Sequence, residues 1–169
     1  MISYLLAIFT GLFVVGFDQY TKYLIKTTMV LSDKKGFIPG LVEISFIENT
    51  GSAWGMLSGH TLLLVIFTAI VMILLVIFLL KAGKKNKLLF WAIILIMSGG
   101  LGNMIDRIFR GGRVVDFLQF EFYPSFPVFN VADCAIVVGA GFLMLYFIID
   151  AIREKKNIKS ERQETDGKD

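Results

Sequence analysis

Leu62 to Leu80 reads LLLVIFTAIVMILLVIFLL, and Thr68 is the one polar side chain in these 19 residues. A helix rising about 1.5 Å per residue carries such a run across most of a hydrocarbon core about 30 Å thick, so the stretch reads as a transmembrane helix. Three further apolar runs flank it. Ile2 to Phe17 is uncharged up to Asp18, Leu88 to Ile105 is uncharged between Lys87 and Asp106, and Cys134 to Ile149 is uncharged up to Asp150. The expected fold class is an all-α integral membrane protein, a four-transmembrane-helix bundle with helices at about 4–24, 60–80, 88–108 and 128–150 in one membrane domain over 1–150. Composition agrees: of 169 residues 56% are hydrophobic and 18% charged, too apolar for a soluble domain and with no room for one beside the spans. A disordered protein, a disulfide scaffold and a nucleic-acid binder are set aside, and Cys134, alone, forms no intrachain disulfide. The first run lacks a basic n-region and a small-residue cleavage site, so it is expected to stay as a helix and not act as a secretory signal.

Charge sets the expected orientation. The connector bearing Lys81, Lys84, Lys85 and Lys87, together with the tail from Asp150, holds 10 basic and 6 acidic residues, whereas the rest holds 7 basic and 8 acidic. The short basic connector belongs in the cytoplasm, which places both termini there and turns the segments 26–59 and 109–127 outward. The polar tail 151–169 is expected to be disordered. Within the outward segments, Leu41–Ile47 alternates, with Val42, Ile44 and Phe46 opposite Glu43 and Ser45, and Gly36, Pro39 and Gly40 supply a turn before it; a small extracytoplasmic β element follows. Gly111 and Gly112 stop the third helix, and Arg113–Phe120 reads as a strand or an interfacial helix.

In this topology the polar residues of the helices converge. Asp18 and Lys22 end the first helix, Asn103, Asp106 and Arg107 end the third, Asn130 and Asp133 begin the fourth, and Asn49, Gly51 and Asp116 lie in the outward connections. Each alone reads as readily as an interfacial residue or helix cap. Gathered at one depth, with almost nothing polar in the inner halves, they read as a site, since ionisable groups in a bilayer are costly unless paired or watered. A transporter or channel is the competing reading, but a conduction path needs polar residues at several depths.

The chemistry narrows by elimination. The one histidine, His60, sits at a helix entrance, and Cys134 points about 100° away from its neighbour Asp133 on a helix, so neither a Cys/His mechanism nor a zinc site is expected. Carboxylates remain. Asp18 has Lys22 four residues on and Asp106 has Arg107 adjacent, and paired carboxylates stay ionised. Asp116, in Val114-Val115-Asp116-Phe117, and Asp133, in Val131-Ala132-Asp133-Cys134, stand in apolar settings without a neighbouring cation. Two such carboxylates sharing a proton make an aspartic peptidase dyad.

Five motifs then resemble a known family. Phe17-Asp18-Gln19-Tyr20-Thr21-Lys22, Glu48-Asn49-Thr50-Gly51-Ser52-Ala53-Trp54-Gly55, Gly99-Gly100-Leu101-Gly102-Asn103-Met104-Ile105-Asp106-Arg107, Gly112-Arg113-Val114-Val115-Asp116-Phe117 and Phe129-Asn130-Val131-Ala132-Asp133 follow one another in the order found in bacterial signal peptidase II, the family of lipoprotein signal peptidases. The resemblance implies an aspartic endopeptidase of the bacterial cell membrane that cleaves prolipoproteins before a diacylglyceryl-modified cysteine. It implies Asp116 and Asp133 as catalytic residues, no cofactor or metal, membrane lipid and globomycin-type inhibitors as further partners, and Asp18, Lys22, Asn49, Gly51, Asn103, Asp106, Arg107 and Asn130 as residues that shape the site or touch substrate. Arg107 would fix Asp106 or a substrate carbonyl. Asn130 also reads as the N-cap of the fourth helix, and Gly51 and Gly102 as points of close backbone approach.

Overall fold

Each apolar run forms a helix in the computed structural model, which describes residues 2–81 and 86–166, with side chains at 5–81 and 86–158. Helix α1 spans Ile2–Thr28, α2 Thr61–Lys81, α3 Lys87–Phe109 and α4 Val131–Asp166. Three of them, α2, α3 and α4, are long and apolar enough to cross a membrane. α1 has the length, 27 residues, but carries Asp18, Lys22 and Lys26 in its second half. Of the basic connector, Lys84 and Lys85 lie outside the described residues. The helices bare apolar side chains outward, Leu62 at 73% and Phe67 at 62% exposure among them, a surface stable only against an apolar solvent. α4 continues to Asp166 where a disordered tail from 151 was expected; Arg, Glu, Lys and Gln are good helix formers and prolong the apolar span that precedes them.

α3 is the central helix and packs against α1, α2 and α4. It begins at Asn86, whose Oδ1 accepts from the N–H groups of Leu88 (2.9 Å) and Leu89 (3.3 Å). It ends where Gly111 (φ 61°) and Gly112 (φ 86°) take the left-handed conformation and turn the chain into a strand.

The outward segments build an antiparallel three-stranded sheet in the order β1 (Lys34–Ile38), β2 (Val42–Asn49), β3 (Val114–Phe120). Arg113–Phe120 thus resolves as strand. The hairpin turn uses Pro39 and Gly40 (φ 73°), whereas Gly36, expected in the turn, lies within β1 opposite Glu43. A register shift between Ile44 and Ile47 marks a bulge in β2, where Ser45 is buried next to Phe46. Phe46, Val115 and Phe117 form a buried core that Ile25 of α1, Met29 just beyond its end and Val131 of α4 complete, so the sheet is bolted to the ends of two helices.

After β3 the chain loops out and returns. Phe129 donates to the Leu118 carbonyl (2.9 Å), and its own carbonyl accepts from Phe117 (3.0 Å) and Leu118 (2.8 Å). Phe120, Phe126 and Phe129 close this loop with ring centroids 5.0–5.9 Å apart. The return sets Asn130, and with it the start of α4, beside β3.

Candidate active site

Asp116 projects from β3 and Asp133 from the first turn of α4, and one residue between them grips both. Asn130 is the N-cap of α4: its Oδ1 accepts from the Asp133 N–H (3.0 Å) while Asp133 Oδ2 accepts from the Asn130 N–H (3.0 Å), a reciprocal capping box. With its oxygen committed to the helix, the amide's Nδ2 faces away and donates to Asp116 Oδ1 (2.6 Å) and Asn103 Oδ1 (3.0 Å). Asn49 Nδ2 donates to Asp116 Oδ2 (2.9 Å), and Asn103 Nδ2 to Asp133 Oδ1 (2.7 Å). Every oxygen of the two carboxyl groups therefore has an N–H donor from an asparagine. Among the described residues neither aspartate forms an ion pair. Asp116 is 2% exposed; burial, and then the charge of Asp133, pushes its carboxyl up to about 7, against the pull of the Asn49 and Asn130 hydrogen bonds.

Behind the dyad lies a fully buried ionic cluster. Lys22 Nζ is 2.8 Å from Asp18 and 3.1 Å from Asp106, and all three are 0% exposed. The same ammonium donates to Asn103 Oδ1 (3.0 Å), which leaves that amide only its Nδ2 to offer Asp133. The two carboxylates reach forward as well. Asp18 Oδ1 accepts from the Ala132 N–H (2.9 Å), one residue before Asp133, and Asp106 Oδ2 accepts from the Val115 N–H (3.1 Å), one residue before Asp116. The cluster thus holds the backbone beside each member of the dyad. Gly102 permits this, since a Cβ there would stand 2.7 Å from Asp18 Oδ2.

Two participants were not singled out in the sequence. Gln19 Nε2 bridges Asp18 Oδ2 (3.1 Å), Asp106 Oδ1 (2.9 Å) and the Gly102 carbonyl (3.1 Å). Arg110 donates to Gln19 Oε1 (3.2 Å) and lies 3.6 Å from Asp106. The spacing of Asp106 and Arg110, four apart at the end of α3 with Arg110 as its C-cap, was the available signal. The pairing expected instead, Asp106 with Arg107, is absent, because consecutive helical residues point about 100° apart. Arg107 turns to the Gly51 carbonyl (3.0 Å).

Gly51 opens a strap, residues 51–58, that crosses in front of the dyad. Its N–H donates to Asn49 Oδ1 (2.8 Å), and a Cβ on it would strike the Met56 carbonyl oxygen at 2.6 Å. Trp54 on the strap has a left-handed backbone (φ 54°) and sets its ring edge-on to Phe126, 6.0 Å between centroids. Beneath lies a cavity of about 580 Å³ with Asp116, Asp133, Asn49, Asn103 and Arg107 in its wall; the remainder is largely apolar, reaching down to Thr68 of α2, Gly100 of α3 and Val137 of α4. Cys134 also lines it, whereas exposed His60, bonded to the Ser58 carbonyl, does not. Among the described residues no group of three or more His, Cys, Asp or Glu side chains is arranged to hold a metal ion.

Residues 10–149 match the family model of signal peptidase (SPase) II. The lipoprotein signal peptidase of Enterococcus faecalis is 40% identical over 145 residues, 85% of this chain and 89% of that protein. That of Staphylococcus aureus is 40% identical over 151 residues, 89% and 92% of the two chains. Two solved structures of a bacterial membrane enzyme obtained by the in meso method, both 40% identical, superpose with TM-scores of 0.81, covering 86% of this chain and 88% of that one, and 0.77, covering 83% and 91%. The matched span includes every residue of the asparagine-held dyad and of the ionic cluster behind it, and the chain belongs to the signal peptidase II family of peptidases.

Proposed function

We propose that this protein is an intramembrane aspartic endopeptidase that releases signal peptides from lipid-modified prolipoproteins, cutting before the diacylglyceryl-cysteine. The observation that carries the reading is the pair of carboxyl groups, Asp116 buried and Asp133 half-buried, without an ion-pair partner among the described residues and gripped by one asparagine in the wall of an apolar cavity. Asp116, pushed up to about 7, holds the shared proton and donates it to the scissile carbonyl oxygen. Asp133, in the first turn of α4 where the helix dipole favours negative charge, takes a proton from the attacking water. As the tetrahedral intermediate collapses, a hydroxyl proton returns to Asp116, the C–N bond breaks, and Asp133 passes its proton to the leaving amine. Arg107 holds the substrate backbone, while Asn49, Asn103 and Asn130 hold the two carboxyl groups.

The reading includes four membrane crossings, with α1 as the fourth. Both termini then lie in the cytoplasm and the dyad near the outer face, where a substrate anchored by its signal helix and acyl chains presents its scissile bond. The basic residues of the α2–α3 connector and the tail support that orientation. The test is release of signal peptide from a purified diacylglyceryl-modified precursor. Asp116→Asn and Asp133→Asn are each expected to lower the rate by about 10²-fold or more; undiminished cleavage by both would refute the dyad. Globomycin is expected to block the wild type.

A further inference from the structure

A second cavity, about 450 Å³ and within the range of about 300–1,000 Å³ usual for ligand sites, lies on the other side of the Trp54–Phe126 contact. It shares a wall with the first: Asn49, Trp54, Phe126, Pro127 and Val128 line both. Otherwise the two differ. The first runs down among the helices, with Thr68, Gly100 and Val137 in its wall, while the second takes no residue from any helix longer than one turn and is bounded by the end of β2, the strap and the loop after β3. Its wall carries Glu48, Thr50, Ser58, Gln119 and Ser125. Asn49, the residue that donates to Asp116, lines both cavities and stands at their junction, while Asp116 and Asp133 lie in the wall of the first.

A peptide bond at that junction has one flank on each side. The apolar flank, the signal segment, suits the cavity that descends among the helices. We infer that the second cavity is a binding groove for the residues that follow the modified cysteine, taken as an extended, uncharged segment passing beneath the Trp54–Phe126 contact; this rests on the peptidase reading above. The lack of charge selection follows from the wall. Glu48 is already paired with Lys26 (3.1 Å) and Arg113 (2.9 Å), and Gln119 with Lys34 (2.9 Å) and the Pro124 carbonyl (3.3 Å). The Thr50 and Ser58 hydroxyls bond each other, so their remaining lone pairs, the Ser125 hydroxyl and main-chain groups are what meet a peptide backbone.

Ser125 is exposed on the groove's rim and belongs to neither the dyad nor its supports. Ser125→Trp fills the groove without touching the first cavity. The experiment compares two lipid-modified substrates with one signal segment, the first ending at the cysteine amide and the second carrying four further residues of Ser, Gly and Asn, and reads the ratio of their kcat/KM values. Wild type is expected to favour the longer substrate, and Ser125→Trp to lower the longer-to-shorter ratio about tenfold with the shorter substrate still cleaved. A ratio that Ser125→Trp leaves unchanged overturns the groove assignment whatever the absolute rates. Failure of the wild type on both substrates would instead overturn the peptidase reading on which it rests.

Discussion

Asn130 serves structure and chemistry with opposite ends of one amide. Its oxygen caps α4, and its nitrogen, aimed by that cap, holds Asp116. Serine caps a helix as well as asparagine but has no second donor, so Asn130→Ser is expected to keep the melting temperature close to wild type while the cleavage rate falls about 10²-fold; Asn130→Ala should lose about a further 1 kcal/mol of stability. Asp116 adds a pH signature. Its folded-state value of about 7 lies above the ordinary value of about 4, so between the two the folded protein holds a proton that the unfolded chain does not. Stability contributed by this group therefore falls as pH rises through that window, and under the proposed mechanism activity is expected to fall above about pH 7 as Asp116 loses its proton. Asp116→Asn, neutral throughout, is expected to flatten the stability slope and to unfold at a higher temperature than wild type at pH 8, which a thermal scan across pH checks. Both aspartates were legible in the sequence because each stands among apolar neighbours with no cation beside it. The partners of the ionic residues were legible only at helical spacing: Asp18 and Lys22 meet, Asp106 and Arg107 do not. Gln19, one polar residue near a helix end, carried no mark of the three acceptors it bridges.

The helices were readable from apolar run length, and β2 from its alternation. β1 was not, since Lys-Lys-Gly-Phe-Ile has no alternation and every residue in it is exposed. Nor could the sequence show that 121–130 folds back on β3, which is what brings Asn130 to Asp116. Between elements, the buried cluster sets the spacing of the dyad: Asp18 ties α1 to the start of α4, Asp106 ties α3 to β3, and Lys22 joins the two ties. Removing the cation leaves two buried carboxylates facing each other. Lys22→Met is expected to cost about 3–5 kcal/mol, read as loss of thermal stability in detergent, with cleavage lost in whatever fraction stays folded. Arg110→Ala, which removes a partly exposed and longer contact, should cost about 1 kcal/mol or less.

At the scale of the molecule, the sheet, strap and dyad gather at one end of the bundle, and the opposite ends of the helices carry Lys81, Lys87 and the continuation of α4. The proposed topology predicts that an epitope in the β1–β2 turn, at Pro39-Gly40, is digested by protease added to intact spheroplasts, while an epitope at the C-terminus is digested only after lysis. The reverse pattern would invert the orientation.

The spacing within the buried cluster also bears on how such a protein is made. Asp18 and Lys22 are four residues apart on α1, and Asp106 lies four before Arg110, the C-cap of α3, so in the proposed topology each helix would bring its own counter-charge into the membrane. Neither has to wait in lipid as a bare ion for its neighbour to be synthesised. Only when α1 and α3 associate does Lys22 reach Asp106, and only when α4 arrives last does Asp18 take up the Ala132 N–H. In the proposed topology, electrostatic closure would follow the order of the chain, and α4, the last helix, would complete the proposed catalytic centre.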